Sequence, residues 1–304
     1  MRVRVLGIGE VVWDVFPDRE LLGGAALNFC VNTLRLGDQA SLITAVGDDA
    51  RGLSALDAMR GFGVNTELVG VTNDLPTGAA FVSRDAKGDP HFDIPRPAAF
   101  DRTVLSSCKF EAVVGLRPDW LYFGTLMQME PRIEQLTDRL MQSLPGVRGF
   151  YDMNLRPGNW TPPLVERLCR LATVLKLNES EAEMLGPFAD ISPADFSLAG
   201  FCKRWAAKYG IDTICITRGA DGCLVYYKGE VHEAPGYPAA VADTVGAGDA
   251  FAAAFLHGYH REWPIERAAS FGNALGSIVA SRPGGIPDWS LEECLALEKS
   301  GTKG

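Results

Sequence analysis

Short apolar runs alternating with amphipathic segments constrain this chain more than any other feature. "VRVLGIG" (Val3–Gly9), "ASLITAVG" (Ala40–Gly47), "DWLYFG" (Asp119–Gly124), "GFYDMN" (Gly149–Asn154), "TVLKLN" (Thr173–Asn178) and "DTICITRG" (Asp212–Gly219) have strand length and β-type composition. Between them lie stretches with helical spacing, such as "AALNFCVNTLRLG" (Ala25–Gly37), which stops at a glycine. Strands joined by helical crossovers pair in parallel, and the helices then cover both faces of the sheet. The pattern predicts one α/β domain over residues 1–304, a three-layer αβα body around a mostly parallel sheet.

The rhythm breaks in two places. Residues 67–100, "ELVGVTNDLPTGAAFVSRDAKGDPHFDIPRPAAF", hold short β-type runs and a turn at Lys87–Pro90 but no helical period. "VVWDVFPDRELL" (Val11–Leu22) is an unusually long link between the first strand and the first helix. Segments 11–22 and 67–100 are expected to form a small antiparallel β-sheet lid over a site.

Composition excludes several classes. With a net charge of −9, the chain lacks the cation excess that nucleic acids and anionic membrane surfaces require. No apolar run reaches the ~18 residues of a membrane span. "MRVRVLGIGE" alternates like a strand and does not read as a targeting signal. Seven cysteines without CxxC spacing point to reduced thiols and a cytoplasmic protein.

Chemistry concentrates in "ADTVGAGDAF" (Ala242–Phe251), which precedes a helix of small residues. Glycines weaken a helix, so Gly246 and Gly248 need another reason to be there. At a helix N-terminus, the amides of Gly246, Ala247, Gly248 and Asp249 are unpaired donors, and the missing side chains admit a phosphate. A phosphate would repel Asp249, so its carboxylate is expected to face a proton-bearing nucleophile. An anion cradle beside a base suits phosphoryl transfer to an alcohol.

Four elements in this order resemble the ribokinase-like sugar kinases, the PfkB family. They are "LLGGAALNFC" (Leu21–Cys30), "KLNESEAEML" (Lys176–Leu185), "ITRGADGC" (Ile216–Cys223) and "DTVGAGDAF". The resemblance implies a ribokinase-like fold with a β-lid, and ATP and Mg²⁺ as cofactors. Asp249 is then the base, and the Gly246–Asp249 amides hold the transferring group. Asp14, Gly23, Gly24 and Asn28 grip the sugar, and Asn178 and Glu181 order phosphates and Mg²⁺ through water. Thr217, Gly219 and Gly222 border the triphosphate and ribose, and Asn273 lies near the adenine. K⁺ is expected between the loop at Asp243 and "SRPGGIP", which contains Ser281 and Gly284. "YDMNLRPGNW" (Tyr151–Trp160) is similar to a D-x-N-x-R…W element of several sugar-kinase branches, and its Arg156 offers a planar fork to substrate. A homodimer through the lid is a further expectation.

The N-terminal signature looks most like the bacterial fructokinase branch. Ala25 and Ala26 follow the glycine pair, without the lysine of many ribokinase and sugar-phosphate kinase branches. An unphosphorylated sugar, fructose first, is the expected acceptor. The alternatives are 2-keto-3-deoxygluconate, ribose or a nucleoside, whose base Phe81, Phe92 and Phe100 would stack against. Arg96 lies near the lid arginine of acid-sugar kinases, at an offset that does not fit. A non-catalytic sugar- or nucleotide-binding relative would have lost the base or the cradle, and both are present. Gly7-x-Gly9 is followed by Val12, so the dinucleotide fingerprint fails. His257 and His260 are expected on a solvated helix face.

Overall fold

The structure is a computed structural model that describes residues 2–84 and 90–301. The chain opens with β1 (Arg4–Ile8), makes an excursion through β2 (Val12–Val15) and β3 (Glu20–Gly23), then enters α1 (Ala25–Arg35) and β4 (Gln39–Gly47). α2 (Ala50–Gly61) leads to β5 (Val69–Thr72), and a second excursion follows in β6 (Gly78–Arg84) and β7 (Pro90–Asp93). Alternation resumes with α3 (Ser107–Leu116), β8 (Trp120–Gly124), α4 (Pro131–Ser143), β9 (Arg148–Asp152), α5 (Pro162–Leu171) and β10 (Val174–Asn178). Then come α6 (Glu179–Leu185), α7 (Leu198–Tyr209), β11 (Thr213–Thr217) and a hairpin of β12 (Cys223–Tyr227) with β13 (Glu230–Ala234). α8 (Ala247–His260), α9 (Ile265–Ala280) and α10 (Leu291–Gly301) end the described chain.

Nine strands form the main sheet in the order β13-β12-β11-β10-β9-β8-β1-β4-β5, parallel except for β12 and β13. The strands are apolar on both faces, and their alternation splits the core in two. Val5, Trp120, Tyr122, Phe150, Val174 and Cys215 pack on one side with α1, α8 and α9. Leu6, Ile8, Leu121, Phe123, Tyr151, Leu175 and Ile214 pack on the other with α4, α5 and α7. The result is the three-layer body.

α8 explains its own composition. Residues 249–258 are buried along its whole face-to-face length, so it is apolar on every side. Small residues let α9 approach: a Cβ at Gly272 would come 2.8 Å from the Phe251 ring, and one at Gly258 would come 3.1 Å from Ala268.

The second sheet has the order β3-β2-β6-β7. It corrects the expected lid in two ways. Residues 69–72 are not in it, because β5 extends the main sheet by pairing in parallel with β4. The lid is also not wholly antiparallel, since β2 and β6 run parallel. Its second half begins at Thr77, which is pinned to the body: Asp49, the N-cap of α2, accepts from Thr77 N at 2.8 Å and from Thr77 Oγ1 at 2.7 Å. Residues 99–102 return to the body as a 3₁₀ turn that buries Phe100. Of the expected turn at Lys87–Pro90, residues 87–89 lie outside the described residues. No helix among the described residues is long and apolar enough to cross a membrane.

The two histidines of α8 do not lie on a solvated face. His257 is buried between Trp263 and Phe271, and its Nδ1 donates to Asp38 Oδ2 at 2.7 Å. Arg261 makes a two-pronged pair with the same carboxylate, which also accepts from Val3 N. Burial would raise Asp38, but these donors hold its carboxyl below the usual range. His260 Nδ1 accepts from Trp120 Nε1 at 3.2 Å and faces Arg148 at 2.9 Å. Chain distance hid both contacts.

Asp38 thus joins the start of β4 to the end of α8. Removing one partner of a buried pair typically costs about 3–5 kcal/mol. Asp38→Ala is expected to lose about 3 kcal/mol in urea unfolding while leaving ligand binding at the far end of α8 within twofold of the parent. Unchanged stability would show that the Asp38 cluster contributes nothing net.

Candidate active site

Gly246 caps α8 in the left-handed region, with φ 75°. A Cβ there would come 2.4 Å from the Gly285 carbonyl, so the loops at 246 and 285 touch backbone to backbone. Ala247 N donates weakly to Thr244 O at 3.3 Å. The N–H groups of Gly248 and Asp249, in the first turn, have no intrahelical acceptor. They open on a cavity of about 740 Å³.

Asp249 is 7% exposed and accepts from Asn28 Nδ2 at 2.8 Å through Oδ2. Burial raises its carboxyl to about 6, Asp152 adds to the rise, and Lys176, Asn28 and Arg156 oppose it. Behind it lies a buried charge pair. Lys176 Nζ bonds Asp152 Oδ1 at 3.0 Å, and Tyr122 OH donates to Asp152 Oδ2 at 3.0 Å. Burial alone would lower the Lys176 pKa, but Asp152, Asp249 and Glu181 hold it above its ordinary value. The ammonium lines the cavity, and a Cβ at Gly248 would come 2.8 Å from it. Gly248 therefore gives Lys176 its place beside the open amides.

The lid supplies one wall. β2 carries Asp14, 5% exposed, into the same cavity as Gly24, Asn28 and Arg156. Burial pushes Asp14 up to about 7, Asp243 and Asp249 add to this, and Arg156 opposes it. Gly23 does not line the cavity. It makes room beneath, since its Cβ would come 2.8 Å from Asp14 Oδ2. Gly24, with φ 113°, closes against the first strand's exit, where a Cβ would lie 2.3 Å from Glu10 O.

The other end of the cavity is lined by Asn178, Thr217, Gly219 and Asn273. Two residues expected there stand behind the wall. Glu181 and Asn178 form a capping box: Asn178 Oδ1 accepts from Glu181 N at 2.9 Å, and Glu181 Oε2 accepts from Asn178 N at 2.8 Å. Glu181 Oε1 accepts from Leu155 N at 2.7 Å, so both of its oxygens are engaged by backbone. Gly222 is buried where a Cβ would strike Ala234 O at 2.2 Å. Asn273 lines the cavity, but its Nδ2 donates to Ala234 O and Pro235 O, which ties down the exit of β13.

Asp243, Ser281 and Gly284 lie in neighbouring loops outside the cavity lining. Asp243 accepts from Val245 N and Gly284 N at 3.1 Å each, and Ser281 Oγ donates to Ile278 O. Among the described residues no group of three acidic, histidine or cysteine side chains is set to hold a metal ion. Arg96 is occupied by Asp101 and Leu126 O. Phe100 is fully buried and Phe81 is 46% exposed on β6, so neither lines the cavity. The side chain of Phe92 is outside the described residues.

Sequence reasoning missed Lys176, Asp152 and Glu10. A lone charge within the apolar runs "VLKLN" and "FYDMN" was the available signal, because an interior strand position tolerates a charge only when it is paired. Glu10 gave none: it lies at a strand's end, where polar residues are ordinary.

A family model described as pfkB family carbohydrate kinase matches residues 9–292. A fructokinase of Escherichia coli is 30% identical, over 98% of this chain and all of that protein. A 5-dehydro-2-deoxygluconokinase of Geobacillus thermodenitrificans is 27% identical, over 86% of this chain and 78% of that one. In fold, the chain is similar to the crystal structure of Xylella fastidiosa fructokinase with bound ATP, at a TM-score of 0.84 and 22% identity, covering 98% of this chain and 99% of the other.

Asp14 generates a prediction about stability. Its folded pKa, about 7, lies above the unfolded value of 3.8, so its stabilising protonation is present at low pH and lost as pH rises between those values. At pH 8 the ionised carboxyl is a burden on the fold. Asp14→Asn is expected to raise Tm by several degrees at pH 8 and by less at pH 5.5. An equal shift at both pH values would contradict the buried, raised carboxyl.

Proposed function

This chain belongs to the pfkB family of carbohydrate kinases, and from that premise we propose ATP-dependent phosphorylation of a hydroxyl on an unphosphorylated sugar, fructose first. The observation that carries the proposal is the placement of Asp249. A buried carboxylate held by Asn28 at 2.8 Å shares one cavity with the open amides of α8 and the lid carboxylate Asp14.

In this reading the sugar hydroxyl lies against Asp249. Asn28 occupies Oδ2, which leaves Oδ1 to accept the proton. A pKa of about 6 suits a base that is ionised near neutrality yet binds a proton readily. The Gly248 and Asp249 amides face the transferring phosphoryl group, with the helix dipole adding to their pull. Lys176, kept charged by Asp152, offsets charge on that group from beside Gly248. Thr217, Gly219 and Asn273 border the nucleotide.

The donor set fits Mg²⁺ through water. Asn178 lines the cavity and would face a hydrated ion, while Glu181, behind the wall with both oxygens accepting amide hydrogens, holds Asn178 in place. When bound, Mg²⁺ supplies neutralisation of the β- and γ-phosphate charge. K⁺ remains part of the proposal, held by backbone carbonyls of the loops at 243 and 281–285, because the Asp243 carboxylate and Ser281 hydroxyl are engaged within the protein.

Electrostatics favour a neutral acceptor. Glu10, Asp14 and Asp249 line the sugar end against Arg156 and Lys176, and Arg96 is taken up by Asp101. A sugar acid or sugar phosphate would bring more negative charge to carboxylates that burial already strains. The fructokinase name of the E. coli relative points the same way, while the 5-dehydro-2-deoxygluconokinase name of the G. thermodenitrificans relative points to an acid acceptor. A coupled ADP-release screen over fructose, ribose, 2-keto-3-deoxygluconate, nucleosides and fructose phosphates tests the choice. Preference for a phosphorylated or acidic acceptor would overturn it.

Asp249→Asn retains shape and hydrogen bonding but not basicity, and kcat is expected to fall by ~10²–10⁴-fold with ADP affinity maintained. A folded variant with near-parental kcat would remove Asp249 as the base. In the parent, kcat/KM should decline below about pH 6, approaching tenfold per pH unit as Asp249 takes up its proton. A flat profile from pH 5 to 7 is incompatible with this assignment.

A further inference from the structure

We propose that Asn154 is a sugar-binding residue: its side-chain amide donates a hydrogen bond to an acceptor hydroxyl, aimed by a backbone held in the left-handed region. The proposal rests on the sugar-kinase reading above and adds a residue to it.

Asn154 has φ 46°, a conformation that L residues adopt at a cost and that asparagine tolerates better than most. Its neighbours clamp it there. On one side, Met153 N donates to Lys176 O at 2.9 Å and Met153 O accepts from Thr125 Oγ1 at 2.5 Å. On the other, Leu155 N donates to Glu181 Oε1 at 2.7 Å. These bonds join β8, β10 and α6 around a single residue. Such over-determined backbone strain concentrates at functional sites, where it aims a side chain.

The side chain is aimed with its donor unused. Asn154 Nδ2 is buried and has no hydrogen-bond partner among the described residues, which is costly unless a ligand or water supplies one. It lines the main cavity, and also a recess of about 10 Å³ that it shares with Glu10, Ala25, Thr125 and Arg156. That recess adjoins the N-terminus of α1, the end of the cavity that holds Asp14 and Asn28. Asn28 supplies the complement. Its Nδ2 is on Asp249, while its Oδ1 is buried without a partner.

The cavity therefore presents one unused amide donor, on Asn154, and one unused amide acceptor, on Asn28 beside Asp249. Each hydroxyl of a polyol both donates and accepts, so a sugar satisfies both at once. A carboxylate or phosphate only accepts, and would leave Asn28 Oδ1 bare. The same pair thus suits a hydroxyl-bearing acceptor at this end.

The test separates the amide from the backbone beneath it. Asn154→Gly keeps the left-handed conformation and removes the amide. Tm is expected to stay level or rise, KM for fructose to increase at least tenfold, and KM for ATP to remain within twofold. Fructose titrated calorimetrically against both proteins with ADP present reads the same contact without turnover. An Asn154→Gly protein whose fructose affinity lies within twofold of the parent overturns the proposal. So does one that loses ATP and fructose affinity together, or loses Tm, since the residue is then structural. A parent that phosphorylates no sugar defeats the kinase reading instead, and the calorimetric comparison still decides whether Asn154 binds fructose.

Discussion

Asp249 is buried at the first turn of a helix that is itself buried, and most of the molecule can be read as the means of holding a carboxylate there. Burial disfavours its charge and Asp152 disfavours it further, while Asn28, Lys176 and Arg156 restore part of the loss. The balance leaves a carboxyl with a pKa of about 6 rather than one that is permanently charged or permanently neutral. Each contributor comes from a different element: Asn28 from α1, Asp152 from the end of β9, Lys176 from β10 and Asp249 from α8. The parallel sheet makes this meeting possible, because neighbouring parallel strands end on the same edge.

That edge also explains the glycines and alanines. For α8 to reach the centre, it must lie close to α1 and α9, so its own faces and theirs are built of small residues. Gly248 lacks a side chain because the Lys176 ammonium takes that space, beside the open amides of α8. One glycine therefore serves the packing, the anion site and the placement of its cation.

The two ends of the cavity are built on different principles. One end is largely backbone and small residues, with Asn178 and Asn273 on the wall and Glu181 behind it, their side chains fixing neighbouring loops. The other end is crowded with polar side chains: Glu10, Asp14, Asn28, Asn154 and Arg156. The lid contributes Asp14 from a strand inserted between β1 and α1, so the sheet that walls the cavity also places a carboxyl in it. Raised carboxyls at this end cost stability, a usual sign of groups retained for function.

Local patterns carried much of this in the sequence. Strand period and glycine stops sufficed for the αβα order, and the run from Gly246 to Asp249 announced a helix N-terminus beside a carboxylate, because both depend on residues close together in the chain. Asp14 and Asn28 were named only through the family resemblance, and the fold places both on the cavity that Asp249 lines. The remainder depended on distances that the linear order conceals. β5 looked like lid until it paired with β4, and His257 looked solvated until Asp38 reached it from 219 residues away. Glu181 stands behind the cavity wall and Asn273 lines it, and the side chains of both are turned onto backbone groups that only the fold brings near. Asp152 and Asn154 stood in the D-x-N-x-R element, but the Lys176–Asp152 pair and the strain at Asn154 came only from the tertiary structure. A lone charge in a strand and an asparagine in a loop acquire meaning only when burial makes their partners, or the lack of one, energetically consequential.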